Sequence, residues 1–182
     1  MIEGCGPAAD AAVSACGRHR WWLQRCWDPA GPRLLFIGLN PSRADGRRDD
    51  PTLRRLVGFA QAWGYGALEV LNLFSRITAS PAVLRRSQEP LDARNDLWLV
   101  ERASALGPMD AVWLGWGNGG RWRQRDRQVL ALLERHLPAH TPVLVLALTA
   151  AGQPRHPLYA AAAAQPLRLL HPGDVLRFAA PP

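Results

Sequence analysis

Residues 33–45 read RLLFIGLNPSRAD. An apolar run (Leu34, Leu35, Phe36, Ile37) breaks at Gly38 and delivers a polar turn, Asn40-Pro41-Ser42-Arg43, followed shortly by Asp45. A strand that is apolar without alternation is buried on both faces, as in a parallel sheet covered by helices. In such a sheet the C-terminal strand ends face the crevice where ligands bind. An amide, a hydroxyl, a guanidinium and a carboxylate gathered at such an end make a candidate site. An Asn-Pro turn leading into a helix has the same local signature, so the neighbouring segments have to decide.

Downstream, Asp50-Pro51 supplies an N-cap and a proline suited to the first helical position. Leu53, Leu56, Val57 and Ala60 follow at helical spacing and predict a helix over 51–63, ended by Trp63-Gly64-Tyr65-Gly66. A second strand, 67–73 (ALEVLNL), exits into Ser75-Arg76-Ile77-Thr78. Pro81 opens a short helix, and 91–106 predicts a longer one. A third strand, 111–116 (AVWLGW), empties into Gly117-Asn118-Gly119-Gly120, and a helix is expected over 121–137 with Val129, Leu130, Leu132 and Leu133 inward. The fourth strand, 142–148 (PVLVLAL), leads into TAAGQPRHP at 149–157. A brief helix at 160–164 and a small edge strand at 167–170 complete the pattern.

Upstream, 18–27 (RHRWWLQRCW) is an Arg/aromatic segment before the breaker Asp28-Pro29-Ala30-Gly31-Pro32. Trp21, Trp22 and Trp27 read as structural, although the segment could also touch a ligand. The β-α-β-α-β-α-β alternation predicts an α/β fold: a three-layer α/β/α sandwich on a central, mainly parallel four-stranded sheet. One domain over 18–182 is expected, preceded by a loose N-terminal segment, 1–17.

The chain has 182 residues and a formal charge of +7. All 22 basic residues are Arg, whose planar donor fork suits phosphate. That balance permits DNA or a nucleotide as partner, but a GC-rich coding bias produces the same excess. No stretch approaches the roughly 20 apolar residues of a membrane span, and no signal peptide is evident. Cys5, Cys16 and Cys26 share no metal-ligand spacing, so a reduced, cytoplasmic protein with no metal and no cofactor is expected.

Four strands thus end in polar or Gly-rich turns: 40–45, 72–78, 117–120 and 153–156. Right-handed crossovers place all four on one edge of the sheet. Asn72 interrupts an apolar strand, so its amide either bonds backbone or reads the edge of an amide-like ligand. His156 is held between Arg155 and Pro157 beside the same edge.

The order GLNPS, LEVLNL, AVWLGWGN, RHPLY resembles the uracil-DNA glycosylase superfamily. GLNPSRAD, DDPTLRR, WGYG, LEVLNLF and PRHPLY resemble more closely a bacterial family, domain of unknown function 1643, over about residues 18–160. The second resemblance implies no activity. The glycosylase resemblance implies that Asn40 takes the place of an Asp in uracil-specific members, as in the mismatch-directed subfamily. There it would orient water rather than accept a proton. It further implies that Asn72 faces or underlies the base and that His156 hydrogen-bonds charge developing on the departing base. Leu158 or Tyr159 would then fill the gap left by a flipped nucleotide, with Phe36 and Trp116 as possible stacking partners. Gly38, Leu39, Pro41, Ser42, Asn118 and Arg155 complete the expected substrate contacts.

Two departures bear on that reading. Ser42 stands where an aromatic commonly follows the first-motif proline, and Leu158 replaces a phosphate-binding Ser. Asp45, Asp49 and Asp50 form an acidic cluster among Arg43, Arg47, Arg48, Arg54 and Arg55. A solvated loop with Asp50 as helix cap explains the cluster, and so does Mg²⁺-assisted phosphoester chemistry on hard oxygen ligands. Three functions follow as expectations: hydrolysis of an N-glycosidic bond in DNA or a nucleotide, base recognition without chemistry in the same pocket, and metal-assisted phosphoester chemistry.

Overall fold

The computed structural model describes residues 8–43, 48–78, 80–169 and 172. Its strands are β1 (Ala9–Val13), β2 (Arg20–Cys26), β3 (Arg33–Gly38), β4 (Ala67–Asn72), β5 (Ala111–Leu114), β6 (Val143–Val145) and β7 (Leu167–Leu169). The helices are α1 (Pro51–Ala62), α2 (Pro81–Arg86), α3 (Arg94–Ser104) and α4 (Arg125–His136). All seven strands join one sheet in the order β1-β2-β4-β3-β5-β6-β7.

The sheet is mixed rather than a four-stranded, mainly parallel one. β4, β3, β5 and β6 pair in parallel, while β1 with β2, β2 with β4, and β6 with β7 pair antiparallel. The sequence hides the added strands for a physical reason. β2 is buried at nearly every position despite its Arg and Gln, because it lies between β1 and β4. β1, with sequence ADAAV, is too small and weakly patterned to stand out, so residues 9–13 leave the expected loose terminus and become a strand. Residues 1–7 lie outside the described residues.

Alternation along the strands divides the core into two layers. Leu34 and Phe36 of β3 join Leu68 and Val70 of β4 under Leu53, Leu56, Phe59 and Ala60 of α1. Leu35 and Ile37 face the other way, against Leu99 and Ala103 of α3 and Val129, Leu130 and Leu133 of α4. Trp113 anchors the first layer, with ring centroids 4.8 Å from Phe36 and 4.7 Å from Trp63. Trp21 and Trp22 are buried and Trp27 partly so, as expected of structural tryptophans.

Three local expectations change. The helix predicted from 121 begins at Arg125, because Trp122 (ψ 128°) and Arg123 (φ 56°) leave helical backbone. Leu132, expected inward, is only partly buried. Residues 160–164 form no helix, and a single 3₁₀ turn, Pro157–Tyr159, precedes them. Among the described residues no helix is long and apolar enough to cross a membrane.

Candidate functional site

The parallel strands deliver their C-terminal ends to one edge of the sheet. β2, running the other way, brings its start to that edge, where Arg20 N–H donates to Ser75 O at 2.9 Å. Gly38 and Asn72 end β3 and β4 in direct register. Only a glycine fits at 38, since a Cβ there would lie 2.9 Å from Asn72 Oδ1 and 3.0 Å from the Phe36 ring.

At this edge opens a cavity of about 400 Å³, within the range of small-molecule sites. The sheet contributes Phe36, Gly38, Val70 and Asn72, and the first turns of α1 contribute Thr52, Leu53 and Leu56. Leu39, Asn40 and Ser42 enter from the β3 exit, and Trp116, Gly117, Asn118 and Gly119 from the β5 exit. His156, Leu158 and Tyr159 close a further side, with Thr78, Ser80, Pro81 and Arg85 opposite the sheet core on the β4 exit and α2. Arg20, from β2, also lines it.

Three polar groups define what the cavity offers. Asn40 Nδ2 donates to Thr78 Oγ1 (2.9 Å), Thr78 O (3.2 Å) and Pro41 O (3.1 Å). These bonds orient the amide and leave its carbonyl oxygen as the acceptor it can present. Asn72 is 4% exposed, and its Nδ2 has no hydrogen-bond partner among the described residues. A buried donor left unmet costs about 1–3 kcal/mol. His156 accepts the Leu158 N–H at Nδ1, 3.3 Å away. Nε2 therefore carries the proton in the neutral ring, and burial holds the pKa of His156 below its ordinary 6.5.

Further hydrogen bonds hold Trp116 and Asn118 of the lining in place. Trp116 Nε1 donates to Gln153 Oε1 at 2.8 Å, and Gln153 Nε2 in turn donates to Asp126 Oδ2 at 3.1 Å, all three residues being buried. Thr149 Oγ1 donates to Asn118 Oδ1 at 2.6 Å. Among the described residues lining the cavity there is no carboxylate, while Arg20 and Arg85 bring positive charge.

The cavity therefore gathers Gly38, Leu39, Asn40, Ser42, Asn72, Trp116, Asn118, His156, Leu158 and Tyr159 from four separate turns, together with Phe36. Pro41 is buried outside its lining and Arg155 is exposed outside it. Asp49 and Asp50 of the acidic cluster do not line it. Asp49 Oδ1 accepts from Arg25 Nε (2.9 Å) and Nη2 (2.7 Å), and Asp50 caps α1 by accepting Leu53 N–H at 2.8 Å. Asp45 lies outside the described residues. Arg20, Thr52, Thr78, Ser80 and Arg85 were not singled out for the site. Arg20 had a signal in the unassigned Arg/aromatic segment; Thr78 and Arg85 reach the cavity only through the path of the chain after β4.

The family model "Protein of unknown function (DUF1643)" matches residues 20–158. The chain belongs to this family. The match opens at Arg20 and closes at Leu158, so it takes in every residue lining the cavity except Tyr159 and leaves out β1 and β7. No curated protein and no solved structure matches the chain.

Proposed function

We propose that the cavity holds a nucleobase and that the protein hydrolyses an N-glycosidic bond. The observation carrying this reading is the buried Nδ2 of Asn72, unpartnered among the described residues, beside Gly38 in a cavity that an oriented Asn40 amide and His156 also line. A base offers what such a set needs: flat faces for Phe36, and ring nitrogens and carbonyls along one edge for the donors. The motif order resembling the uracil-DNA glycosylase superfamily supports the same assignment of roles.

In this reading Asn40 Oδ1 accepts a hydrogen bond from water and aims its oxygen at the anomeric carbon. The C1′–N bond breaks, its electron pair leaves on the base, and water oxygen bonds to C1′. The water proton passes to solvent or to the departing base. His156 Nε2–H donates to the charge that collects on the base, the preorganised donor role of an oxyanion site. An amide cannot usefully take a proton, so the reaction depends on leaving-group stabilisation and is slow beside one with a carboxylate base.

A second reading has its own support: with no carboxylate among the described lining residues, the same cavity suits base recognition without chemistry. The phosphoester reading draws less support, since Asp49 and Asp50 are engaged by Arg25 and by the α1 backbone. A release assay separates the first two. Duplex and single-stranded oligonucleotides carrying uracil, hypoxanthine, xanthine or a mismatched thymine, and free nucleotides, are incubated with the protein. Free base or an abasic site from one substrate, lost in Asn40→Ala and His156→Ala, is the expected result; tight binding without product selects the recognition module.

A further inference from the structure

Beside the cavity lies an open groove of about 780 Å³, lined among the described residues by Arg18, Arg43, Arg76 and Arg86 against one acid, Glu89. Thr78 lines both spaces and forms the ridge between them. That ridge is firmly built: Thr78 N–H donates to Pro41 O at 3.1 Å, and its hydroxyl receives Asn40 Nδ2. On α2 the consecutive Arg85 and Arg86 divide, one lining the cavity and the other the groove.

The charges are not spent internally. Glu89 stands 3.6 Å from Arg18, both well exposed, while Arg43, Arg76, Arg85 and Arg86 have no carboxylate partner among the described residues. Elsewhere the fold pairs its arginines closely, as in Arg33 with Asp110 and Arg102 with Glu69. The four guanidinium groups of the groove come from four chain segments: the approach to β2, the exit of β3, the exit of β4, and α2. Planar forks without a carboxylate partner among the described residues, as at Arg43, Arg76 and Arg86, lie at the edge of a base-sized cavity and match successive phosphates.

We infer that the groove carries the phosphate backbone of a nucleic-acid strand whose neighbouring nucleotide enters the cavity, so the substrate is a polymer rather than a free nucleotide. This rests on the nucleobase reading for what fills the cavity. Arg85, at the cavity side of α2, meets the phosphate of the inserted nucleotide, and Arg43, Arg76 and Arg86 meet those that follow. A strand must turn sharply at Thr78 to do this, which a single strand or an extruded nucleotide can and a stacked duplex cannot.

The test is fluorescence anisotropy with a labelled 15-mer single-stranded DNA over 50–300 mM salt. Each phosphate contact on a single strand contributes about −0.7 to the slope of log K against log salt. For the wild type a slope of about −2 to −3 is expected, and Arg43→Ala/Arg86→Ala shallows it by about 1.4 and weakens binding tenfold or more. Both arginines are exposed, so the variant folds, and Arg86→Lys restores most of the affinity by keeping the charge. No binding at 50 mM salt, or the same slope in the double variant, overturns the inference. A polyglutamate chain that binds as tightly with the same Arg dependence also overturns it, in favour of an acidic peptide. The base reading is scored separately by thermal shifts with free nucleosides in wild type and Asn72→Leu. Nucleoside binding that needs Asn72, alongside groove-independent DNA binding, removes the polymer and leaves the base.

Discussion

At Asn72 the protein keeps a hydrogen-bond donor buried without a partner, a group whose replacement separates stability from function. Asn72→Leu removes the unmet donor at similar volume. The account predicts a fold as stable as the wild type or more stable by about 1 kcal/mol, read by urea denaturation, together with loss of base binding. A fall in stability would mean that the amide is bonded in the resting protein. A second prediction concerns Cys16, exposed, 3.3 Å from Ser14 Oγ and near Arg18. Ser14, and then Arg18, hold its thiol at a pKa of about 7. Iodoacetamide at pH 7.5 should therefore label Cys16 well ahead of the half-buried Cys26, as mass spectrometry of the peptides will report. Asn72 was legible in the sequence because an amide inside an apolar strand needs a reason. Arg20 was legible only as part of an Arg/aromatic segment, not as the start of an antiparallel strand at the same edge, and nothing in the local pattern of Thr78 says that it is tied to Asn40.

Among the elements, α1 depends on its cap and the sheet on one buried acid. Asp50→Ala removes the acceptor for Leu53 N–H and should cost about 1 kcal/mol, without touching a cavity contact. Glu69, 1% exposed in β4, accepts two bonds from Arg102 (2.7 and 2.5 Å) and one from Trp22 Nε1 (2.9 Å). Glu69→Ala leaves those donors without it and should destabilise by about 3–5 kcal/mol, measurable in the same urea titration. The inner strands β3 to β6 were readable because both of their faces are buried, which forces apolar runs, and because helices separate them. β2 was not, since its arginines and glutamine are buried among polar partners and so break the apolar signature. The start of α4 was misplaced for another reason: the left-handed backbone at Arg123 and Gln124 has no glycine to announce it.

For the whole molecule, acidification acts through two imidazoles, one buried and one half-buried. His19 and His156 both have their pKa values pulled below the ordinary 6.5, chiefly by burial, with Arg76 adding to the effect at His19. Below 6.5 the unfolded chain therefore binds more protons than the folded one, and stability must fall as pH drops from there toward the lowered values. The urea midpoint should be lower at pH 5.5 than at 7.5, and His156→Gln should shrink that difference. The sheet edge that collects four strand exits and the start of β2 makes a cavity that no single motif specifies, which is why its members were legible singly and its shape was not. The claim at the centre of this account is that this cavity holds a nucleobase against Asn40, Asn72 and His156. Calorimetric titration of the protein with free nucleobases and nucleosides tests it most directly. The account predicts one-to-one binding of at least one base, weakened tenfold or more by Asn72→Leu; heats absent for every base, or an affinity indifferent to that substitution, would contradict it.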